Sequence, residues 1–431
     1  MSDTLNLSKF KMPAHRHDIP DGHIDFCQVC GSKNLALVID LGHQPLCDTL
    51  LTTEQLNEPE KIYPLRLWRC QDCTLTQIDY MVPGAELYAK SYPYRSGITR
   101  EVVEHMNGMA AECCEVLKLA PGSHVLDIGC NDGTLLKALR DNGMKPVGVD
   151  PTDVGQFARD AGIEVYQEFF DEKLAKQIVA KHGKAKLVTA TNVFAHMNTL
   201  GEVMRGIKAL LADDGSFVCE VHYLGAILEG AQYDSIYHEH VRTYSFKSLV
   251  VLFHLYGMTV TRAVLMGRYS GTIRVYVSNQ PGAVQDKSVA NYIAEEDRRG
   301  FSKPEIYQEF VRRVEQSRAD LLALAYKAKA EGKSFVGNSC PGRCSTLMNY
   351  VGLDNYLMPY ICEQPASLKK GMYLPGKHIP VVENTILEKA QPDYIVLLAW
   401  HLAEPIIKEL RGRGIKSKLV MPLPEVRIID N

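Results

Sequence analysis

An apolar strand that runs into a glycine turn and then into a helix constrains the fold of this chain more than any other feature. Residues 123–139 read SHVLDIGCNDGTLLKAL, and the apolar residues after the turn recur at helical spacing. A second strand follows within residues 145–152 (KPVGVDPT), and it ends at Asp150. Strand, glycine loop, helix and an acidic residue after the next strand are typical of a Rossmann-type nucleotide-binding unit. The sequence therefore predicts an α/β domain with a nucleoside ligand at this loop.

The glycine spacing indicates that this ligand is not a dinucleotide. A dinucleotide fingerprint needs glycines at positions 129, 131 and 134, and the chain has Gly129, Asn131 and Thr134. Asp127 stands at the end of the strand, where its charge repels a phosphate and suits a cationic ligand.

The stretch D-I-G-C-N-D-G resembles the glycine loop of class I S-adenosylmethionine-dependent methyltransferases. The resemblance implies that residues 129–133, with Gly129, Asn131 and Gly133, lie against the methionine part of the cofactor. It also implies that Asp150 accepts hydrogen bonds from the ribose hydroxyls. Another Rossmann-like nucleotide domain is the alternative interpretation.

Two further stretches are candidates for cofactor binding. The later strand in 186–197 (KLVTATNVFAHM) ends near Asn192, where such enzymes receive adenine and substrate. The tyrosine-rich stretch 86–99 is either a plain linker or a loop that folds over the ligand, with Tyr94 and Ser96 presenting hydroxyls.

Two C-x-x-C pairs predict a closed metal site. Cys27 and Cys30 form one pair, Cys70 and Cys73 form the other, and 39 residues lie between the pairs. Each pair turns two sulfurs toward one point, so four thiolates complete a tetrahedral shell for structural zinc. Two unrelated redox or buried pairs are the alternative.

Composition limits the partners and the compartment. The 431 residues are 46% hydrophobic and 23% charged with a net charge of -3, which gives no electrostatic reason to expect nucleic acid or an anionic membrane. The first thirty residues show no secretory signal, and the apolar stretch 394–400 is too short to span a bilayer. We expect a cytoplasmic protein that binds neither partner and exists as a monomer or small homo-oligomer. Its twelve cysteines then form no disulfide scaffold.

The stretch IYHEH (236–240) has a composition that no hydrophobic core requires. A metal site is disfavoured, because neighbouring side chains point apart and only His238 and His240 can share a face. A solvated polar turn is a second interpretation. The stretch lies after the strand 215–223 (GSFVCEVHY), whose carboxyl end should open into the ligand crevice, and this favours an acid/base cluster.

Together these motifs resemble the sugar C-methyltransferases of deoxysugar biosynthesis, in which a methyltransferase domain is flanked by a four-cysteine zinc domain and a C-terminal Rossmann-like domain. The resemblance covers nearly the whole chain and is most specific in ILEGAQYDSIYHEHVRTYS (227–245). It implies that His240 is the catalytic base, that Tyr237 and Glu239 line the same site, and that His196 lies near a substrate keto group.

The implied reaction accounts for these residue types. In a nucleotide-linked 4-keto-deoxyhexose the carbonyl acidifies the proton on C3, and a histidine can remove it to give an enolate. His196 or Tyr237 can donate to the enolate oxygen, and Glu239 can fix the tautomer of His240. The resulting carbanion takes the methyl group of S-adenosylmethionine. Methylation of oxygen or nitrogen, or a sugar-nucleotide scaffold without activity, are the alternatives.

Other residues are candidates for substrate binding. His222 and Tyr223, at the end of the strand 215–223, suit packing as well as substrate contact. In the C-terminal part, Arg343 follows a strand and opens a helix, where it can bind a diphosphate, and Lys369 or Lys370 can reach the same group. This chain has Arg-Cys-Ser where the family usually has Lys-Gly-Asn, which leaves the nucleotide open.

We therefore expect an α/β protein of three parts. Residues 1–90 form a zinc-binding domain, and residues 91–285 form a class I methyltransferase domain with a Rossmann-like core. In residues 286–431 strands alternate with helical patterns, which predicts a second Rossmann-like domain that binds substrate.

Overall fold

The computed structural model of the chain describes residues 5–87, 95–98, 100–267 and 271–430, with the side chain of Ala85 left out. The strands are β1 (Gly22–His23), β2 (Leu35–Pro45), β3 (Ile62–Cys70), β4 (Thr76–Ile78), β5 (Tyr80–Met81), β6 (His124–Ile128), β7 (Lys145–Val149), β8 (Glu164–Tyr166), β9 (Ala185–Thr191), β10 (Leu211–His222), β11 (Arg242–Thr243), β12 (Thr259–Met266), β13 (Thr272–Ser278), β14 (Phe335–Asn338), β15 (Ile361–Glu363), β16 (Val381–Glu383), β17 (Tyr394–Leu397), β18 (Lys418–Met421) and β19 (Arg427–Ile429). The helices are α1 (Gly84–Leu87), α2 (Arg100–Val116), α3 (Thr134–Asp141), α4 (Gln156–Asp160), α5 (Glu172–His182), α6 (Leu200–Leu210), α7 (Leu224–Glu229), α8 (Phe246–Leu255), α9 (Lys287–Arg299), α10 (Glu305–Ala330), α11 (Cys344–Val351), α12 (Ile386–Ala390) and α13 (Ala403–Gly412).

The central sheet has the order β12-β13-β10-β9-β6-β7-β8. The strands from β10 to β8 run parallel, and β13 is inserted antiparallel beside β10. The first strand, β6, is followed outward by β7 and β8 on one side and by β9 and β10 on the other. The strand order therefore reverses between β6 and β9, and a doubly wound sheet binds its ligand at the carboxyl end of such a reversal.

A second, C-terminal sheet has the order β16-β15-β14-β17-β18-β19. All of its pairs are parallel except that of β18 with the edge strand β19. The strands β14 and β17 are fully buried, as continuous apolar segments in parallel sheets are. The sequence prediction of a second parallel α/β unit agrees with this sheet.

The four-stranded N-terminal sheet takes one strand from a distant part of the chain. Its order is β11-β4-β3-β2, and all its pairs are antiparallel. Strand β11 begins two residues after the IYHEH stretch and pairs with β4. The stretch is therefore anchored to the N-terminal sheet and is not a free loop. In the described part of the chain, no helix has the length and apolar character needed to cross a membrane.

Candidate active site

The loop after β6 requires glycine at two positions. Gly129 has a φ of +69°, and an added Cβ would lie 2.6 Å from Cγ1 of Val193. Gly133 has a φ of +76°, and an added Cβ would lie 2.4 Å from Cβ of Ala158 in α4. A left-handed backbone and close packing together exclude a side chain at either position. The two glycines therefore fix the path of the loop at the carboxyl edge of the central sheet.

Asp150, directly after β7, accepts hydrogen bonds from two parts of this edge. Its Oδ2 accepts from the backbone N–H of Asn131 (2.8 Å), and its Oδ1 accepts from the N–H and hydroxyl of Thr152 (2.9 and 2.6 Å). Asp150 thus ties the glycine loop to the end of β7. A carboxylate offers about four acceptor positions, and three are used here, so one position on Oδ2 remains for a ribose hydroxyl.

Asp127 and Asn192 lie at the ends of the neighbouring strands β6 and β9. Burial raises the pKa of Asp127 to about 7, against the effect of a hydrogen bond from the hydroxyl of Thr189 (2.7 Å). Asn192 has a φ of +56°, and its Oδ1 is buried without a donor among the described residues. A buried carboxyl and an unsatisfied amide oxygen fit a ligand that brings positive charge and N–H or O–H donors, as S-adenosylmethionine does.

Residues 95–98 contact the glycine loop through their backbone N–H groups. The N–H of Ser96 donates to Oδ1 of Asn131 (2.9 Å), and the N–H of Gly97 donates to Oδ2 of Asp132 (2.8 Å). Ser96 is therefore beside the predicted cofactor loop, and the role of its hydroxyl stays a prediction. Tyr94 lies outside the described residues.

His240 is held from both ring nitrogens. Nδ1 lies 2.7 Å from the carbonyl oxygen of Ser235, and Nε2 lies 2.8 Å from the hydroxyl of Tyr237. A carbonyl only accepts, so Nδ1 of the neutral ring carries the proton and Nε2 accepts from the Tyr237 hydroxyl. The Ser235 carbonyl thereby fixes the tautomer that leaves the basic lone pair on Nε2.

His196 and His222 pack edge-on against the ring of His240. Their ring centroids lie 4.6 and 4.7 Å from the centroid of His240. Burial, together with nearby arginine charge, lowers the pKa of His196 to about 4 and that of His222 to about 3. Burial and the two neighbouring histidines also hold the pKa of His240 well below its usual range. The three rings are therefore neutral near pH 7, which is the state a proton acceptor needs.

Glu239 approaches His196 and is close to Asp48 and Lys369 from two other parts of the chain. Its Oε2 lies 3.8 Å from Nδ1 of His196. Burial, together with the charge of Asp48, raises the pKa of Glu239 to about 8 against the opposing charge of Lys369. Glu239 is therefore mainly protonated near pH 7. The prediction that it fixes the tautomer of His240 is wrong, because the Ser235 carbonyl makes that contact.

His238 faces the N-terminal sheet instead of His240. Its Nε2 lies 3.3 Å from the carbonyl oxygen of Pro64, and its ring meets the ring of Tyr63 edge-on at 5.8 Å. The two histidines of the stretch therefore do not converge on one ion, in agreement with the disfavoured metal interpretation.

The four predicted zinc ligands form one cluster. The sulfurs of Cys27 and Cys73 lie 3.5 Å apart, as do those of Cys30 and Cys70, and all four lie within 4.8 Å of one another. Zinc–sulfur bonds of about 2.3 Å in a tetrahedron need sulfurs just under 4 Å apart. The cluster fits zinc with no open position, and it is the one group of this kind within the described ranges.

Three family models match consecutive parts of the chain. They are described as "Putative zinc binding domain" (residues 27–88), "Methyltransferase domain" (103–263) and "C-methyltransferase C-terminal domain" (268–424). C-methyltransferase NovU of Streptomyces niveus is 33% identical over 414 residues, which cover 94% of this chain and 97% of that protein. The chain belongs to this C-methyltransferase family.

Two solved structures that are similar to part of this chain each match less than half of it. Magnesium protoporphyrin IX methyltransferase from Synechocystis PCC 6803 has a TM-score of 0.32 at 15% identity, and the match covers 41% of this chain and 82% of that chain. A methyltransferase from Clostridium acetobutylicum has a TM-score of 0.33 at 13% identity, with 42% and 92% covered.

The family and the sheet order confirm the predicted class I methyltransferase fold with an N-terminal zinc-binding region. The predicted cofactors are confirmed with it: the C-methyltransferase uses S-adenosylmethionine, and its four-cysteine cluster binds zinc. Which residues contact the methyl donor stays a prediction.

Tyr223 does not share the site of its neighbour His222. Its side chain is buried at 3% exposure, its ring stacks on that of Phe301 (6.2 Å), and the charge of Glu296 acts on it. Successive side chains of an extended segment point to opposite faces, so one of the two residues faces His240 and the other faces the core. The packing interpretation of Tyr223 therefore fits the structure, and its contact with substrate stays a prediction.

Arg343 is paired inside the protein. Its Nε and Nη2 donate to Oδ2 and Oδ1 of Asp234 (2.9 and 2.7 Å), and Nη2 also donates to the hydroxyl of Ser235 (2.6 Å). With its charge matched and 8% of its surface exposed, this guanidinium is not the open diphosphate ligand that the sequence predicts. It acts on the site through Ser235, the residue that orients His240.

Of the two predicted lysines, Lys369 and not Lys370 faces the candidate site. Nζ of Lys370 donates to Glu383 (3.1 Å) at the surface of the C-terminal sheet. Nζ of Lys369 donates to Asp48 (3.3 Å) and to the carbonyl oxygen of Cys340 (2.9 Å). Asp48 was not predicted, because no local pattern in the N-terminal part marks a residue that meets the other two domains.

Proposed function

We propose that this C-methyltransferase transfers the methyl group of S-adenosylmethionine to C3 of a nucleotide-linked 4-keto-deoxyhexose through an enolate. The support is chemical, since carbon methylation next to a ketone requires a base that removes a carbon-bound proton. The family and the relative of 33% identity support the class of reaction. The sugar is inferred from the IYHEH segment and the chemistry of its residues.

One observation carries the proposal. Nε2 of His240 is unprotonated, because the Ser235 carbonyl holds the proton of the ring on Nδ1. Burial and neighbouring histidines keep the ring neutral, and the hydroxyl of Tyr237 lies 2.8 Å from Nε2. A neutral base beside a hydroxyl donor is the pair that enolate formation needs.

The methyl donor would be held at the carboxyl edge of β6, β7 and β9. We propose that the Gly129–Gly133 loop contacts its methionine part, that Asp150 accepts from its ribose, and that the unsatisfied Oδ1 of Asn192 accepts from a donor of the ligand. Asp127 would face its positive charge. When bound, the cofactor supplies an electrophilic methyl group on a sulfonium.

The proton of C3 would move to Nε2 of His240. The Tyr237 hydroxyl donates to Nε2 of His240 in this structure, so it must turn away before Nε2 can accept the C3 proton. After turning, the hydroxyl can donate to the ketone oxygen of the sugar. Protonated Glu239 and neutral His196 are the other donors in this cluster of side chains. Negative charge on the enolate oxygen would therefore meet hydrogen-bond donors from several directions.

The test is incubation with a panel of nucleotide-linked 4-keto-6-deoxyhexoses in deuterium oxide, followed by mass spectrometry. Without S-adenosylmethionine we expect deuterium at C3 of the true substrate, and with it a methyl group at C3. His240→Asn should abolish both while the affinity for S-adenosylmethionine, measured by calorimetry, is retained.

Each alternative gives its own result. Methylation without deuterium uptake identifies an oxygen or nitrogen methyltransferase. Binding of sugar nucleotides with neither exchange nor methylation identifies a scaffold. Either outcome overturns the proposal.

A further inference from the structure

Arg242 is a buried cation whose contacts are all neutral. Its side chain is 1% exposed. Nε donates to the hydroxyl of Tyr244 (3.0 Å), Nη1 donates to Oε1 of Gln28 (2.6 Å), and Nη2 donates to the carbonyl oxygen of Met197. Within the ranges that the structure describes, no carboxylate forms an ion pair with it. A buried charge without a counter-charge is strongly destabilising, so a source of negative charge is expected nearby.

The zinc site supplies such a charge. Gln28 lies between the ligands Cys27 and Cys30 and is fully buried. Four thiolates outweigh the charge of one Zn²⁺, so a complete four-cysteine site is net negative. A second buried arginine, Arg69, directly precedes the ligand Cys70 and also lacks a carboxylate partner in the described part of the chain. Each cysteine pair thus has one buried arginine next to it.

Arg242 also connects the zinc site to the candidate base cluster. Met197, whose carbonyl it holds, directly follows His196, and Arg242 itself stands two residues after His240. The backbone between His240 and Arg242 is also held by the N-terminal sheet. The carbonyl of Val241 accepts a hydrogen bond from the N–H of Ile78 in β4 (3.2 Å).

We propose that Gln28 and Arg242 are positioning residues that couple the zinc site to the candidate catalytic histidines, with the zinc–thiolate cluster as the counter-charge of Arg242. Zinc then fixes the segments that carry His196 and His240 in addition to stabilising the N-terminal domain. This inference rests on the proposed function only for its effect on turnover.

Three measurements on the full-length protein test the coupling. The first is the affinity for zinc, measured by competition with a chromophoric chelator. The second is backbone hydrogen exchange of residues 194–198 and 236–245. The third compares the change in kcat with the change in the Kd of S-adenosylmethionine. Arg242→Met should weaken zinc binding and lower kcat by about tenfold or more, as loss of outer-shell partners of a metal does. It should also accelerate exchange in both segments and leave the Kd within about twofold, because the glycine loop is separate.

Arg69→Met is the matched control. Arg69 donates to the carbonyl oxygen of Ser302 (3.1 Å) and lies over the ring of Tyr307 (4.9 Å), away from the histidines. It should weaken zinc binding by a similar factor without faster exchange in residues 236–245. Arg242→Lys should restore zinc affinity but only part of kcat, since an ammonium cannot reproduce the planar fork that reaches all three acceptors.

Gln28→Met removes the hydrogen bond between Gln28 and Arg242 without removing a charge. It takes the place of Arg242→Met in these measurements if that variant does not fold. Unchanged hydrogen exchange in both segments, or an equal acceleration in Arg69→Met, overturns the coupling. Exchange and zinc affinity need no sugar, so a wrong substrate assignment leaves both results readable.

Discussion

At the scale of single residues, the candidate base depends on groups that the sequence does not place beside it. The residue types in IYHEH predict acid/base chemistry, and His240, Tyr237 and His196 do lie together. The tautomer of His240, however, is set by a backbone carbonyl, which every residue has and no motif reveals. Glu239 is the residue whose role changes most, from a partner of His240 to a protonated acid.

Tyr237→Phe separates the two tasks of the cluster. The variant keeps the basic Nε2 of His240 but loses the hydroxyl beside it. We expect deuterium uptake at C3 to slow by about 10²-fold without being abolished, and methyl transfer to slow with it, because loss of one oxyanion donor destabilises the enolate through which both pass. Mass spectrometry of the sugar measures both. Complete loss of uptake, as in His240→Asn, would show that the proton passes through Tyr237.

Glu239→Gln should change how stability depends on pH. The folded protein holds a proton on Glu239 up to about pH 8, whereas an unfolded glutamate releases it near its usual value of 4.5. Raising the pH through this window therefore favours the unfolded state of the wild type, because the folded state binds more protons there. The stability of Glu239→Gln relative to wild type should rise with pH, as measured by urea unfolding. Asp48→Asn should reduce the effect, and a pH-independent difference would contradict it.

At the scale of elements, the sequence predicts what is local. The strand, loop and helix of residues 123–139 appear as β6, the glycine loop and α3 because their signals are contained in one stretch of chain. The segment 52–61 (TTEQLNEPEK), between the two cysteine pairs, holds only a short 3-10 turn, Glu54–Asn57. Strand β11 pairs with β4, more than 160 residues earlier, and no local pattern encodes such a pairing.

Gly129→Ala tests the glycine loop. An added Cβ would meet Val193 at 2.6 Å on a backbone with a φ of +69°. We expect S-adenosylmethionine to bind at least about tenfold more weakly and the protein to lose about 1–3 kcal/mol of stability. Gly257→Ala is the control, because Gly257 has a similar φ of +65° and nothing within 4 Å of an added Cβ. It should lose some stability and no cofactor affinity by calorimetry; equal affinity losses would count against the loop as the cofactor site.

At the scale of the whole molecule, the candidate site is made where three sheets meet. Asp48 comes from the N-terminal part, His240 and Glu239 from the central part, and Lys369 from the C-terminal part. The resemblance predicts the three parts and the central residues. Contacts between the parts could not be predicted, because they join residues more than a hundred positions apart. Arg343 illustrates this, since its loop suggested an anion ligand while its actual partner, Asp234, lies 109 residues earlier.

Arg343→Met should reveal how strongly the central and C-terminal parts depend on one buried ion pair. Asp234 is fully buried and also accepts from Nε1 of Trp400 (2.8 Å), so removing Arg343 leaves a carboxylate without its cation. We expect a loss of about 3–5 kcal/mol in the free energy of unfolding, the usual cost of breaking one half of a buried pair.

Adding Asp234→Asn to that variant should recover much of the loss, because it removes the stranded charge. The matched surface variant is Arg298→Met, which breaks a two-bond pair with Glu295 on the exposed face of α9 and should cost about 1 kcal/mol or less. Urea unfolding of the four proteins, wild type included, gives the comparison. If Arg343→Met costs no more than Arg298→Met, the pair does not hold the C-terminal sheet to the candidate site, and Ser235 and His240 must be positioned by other contacts.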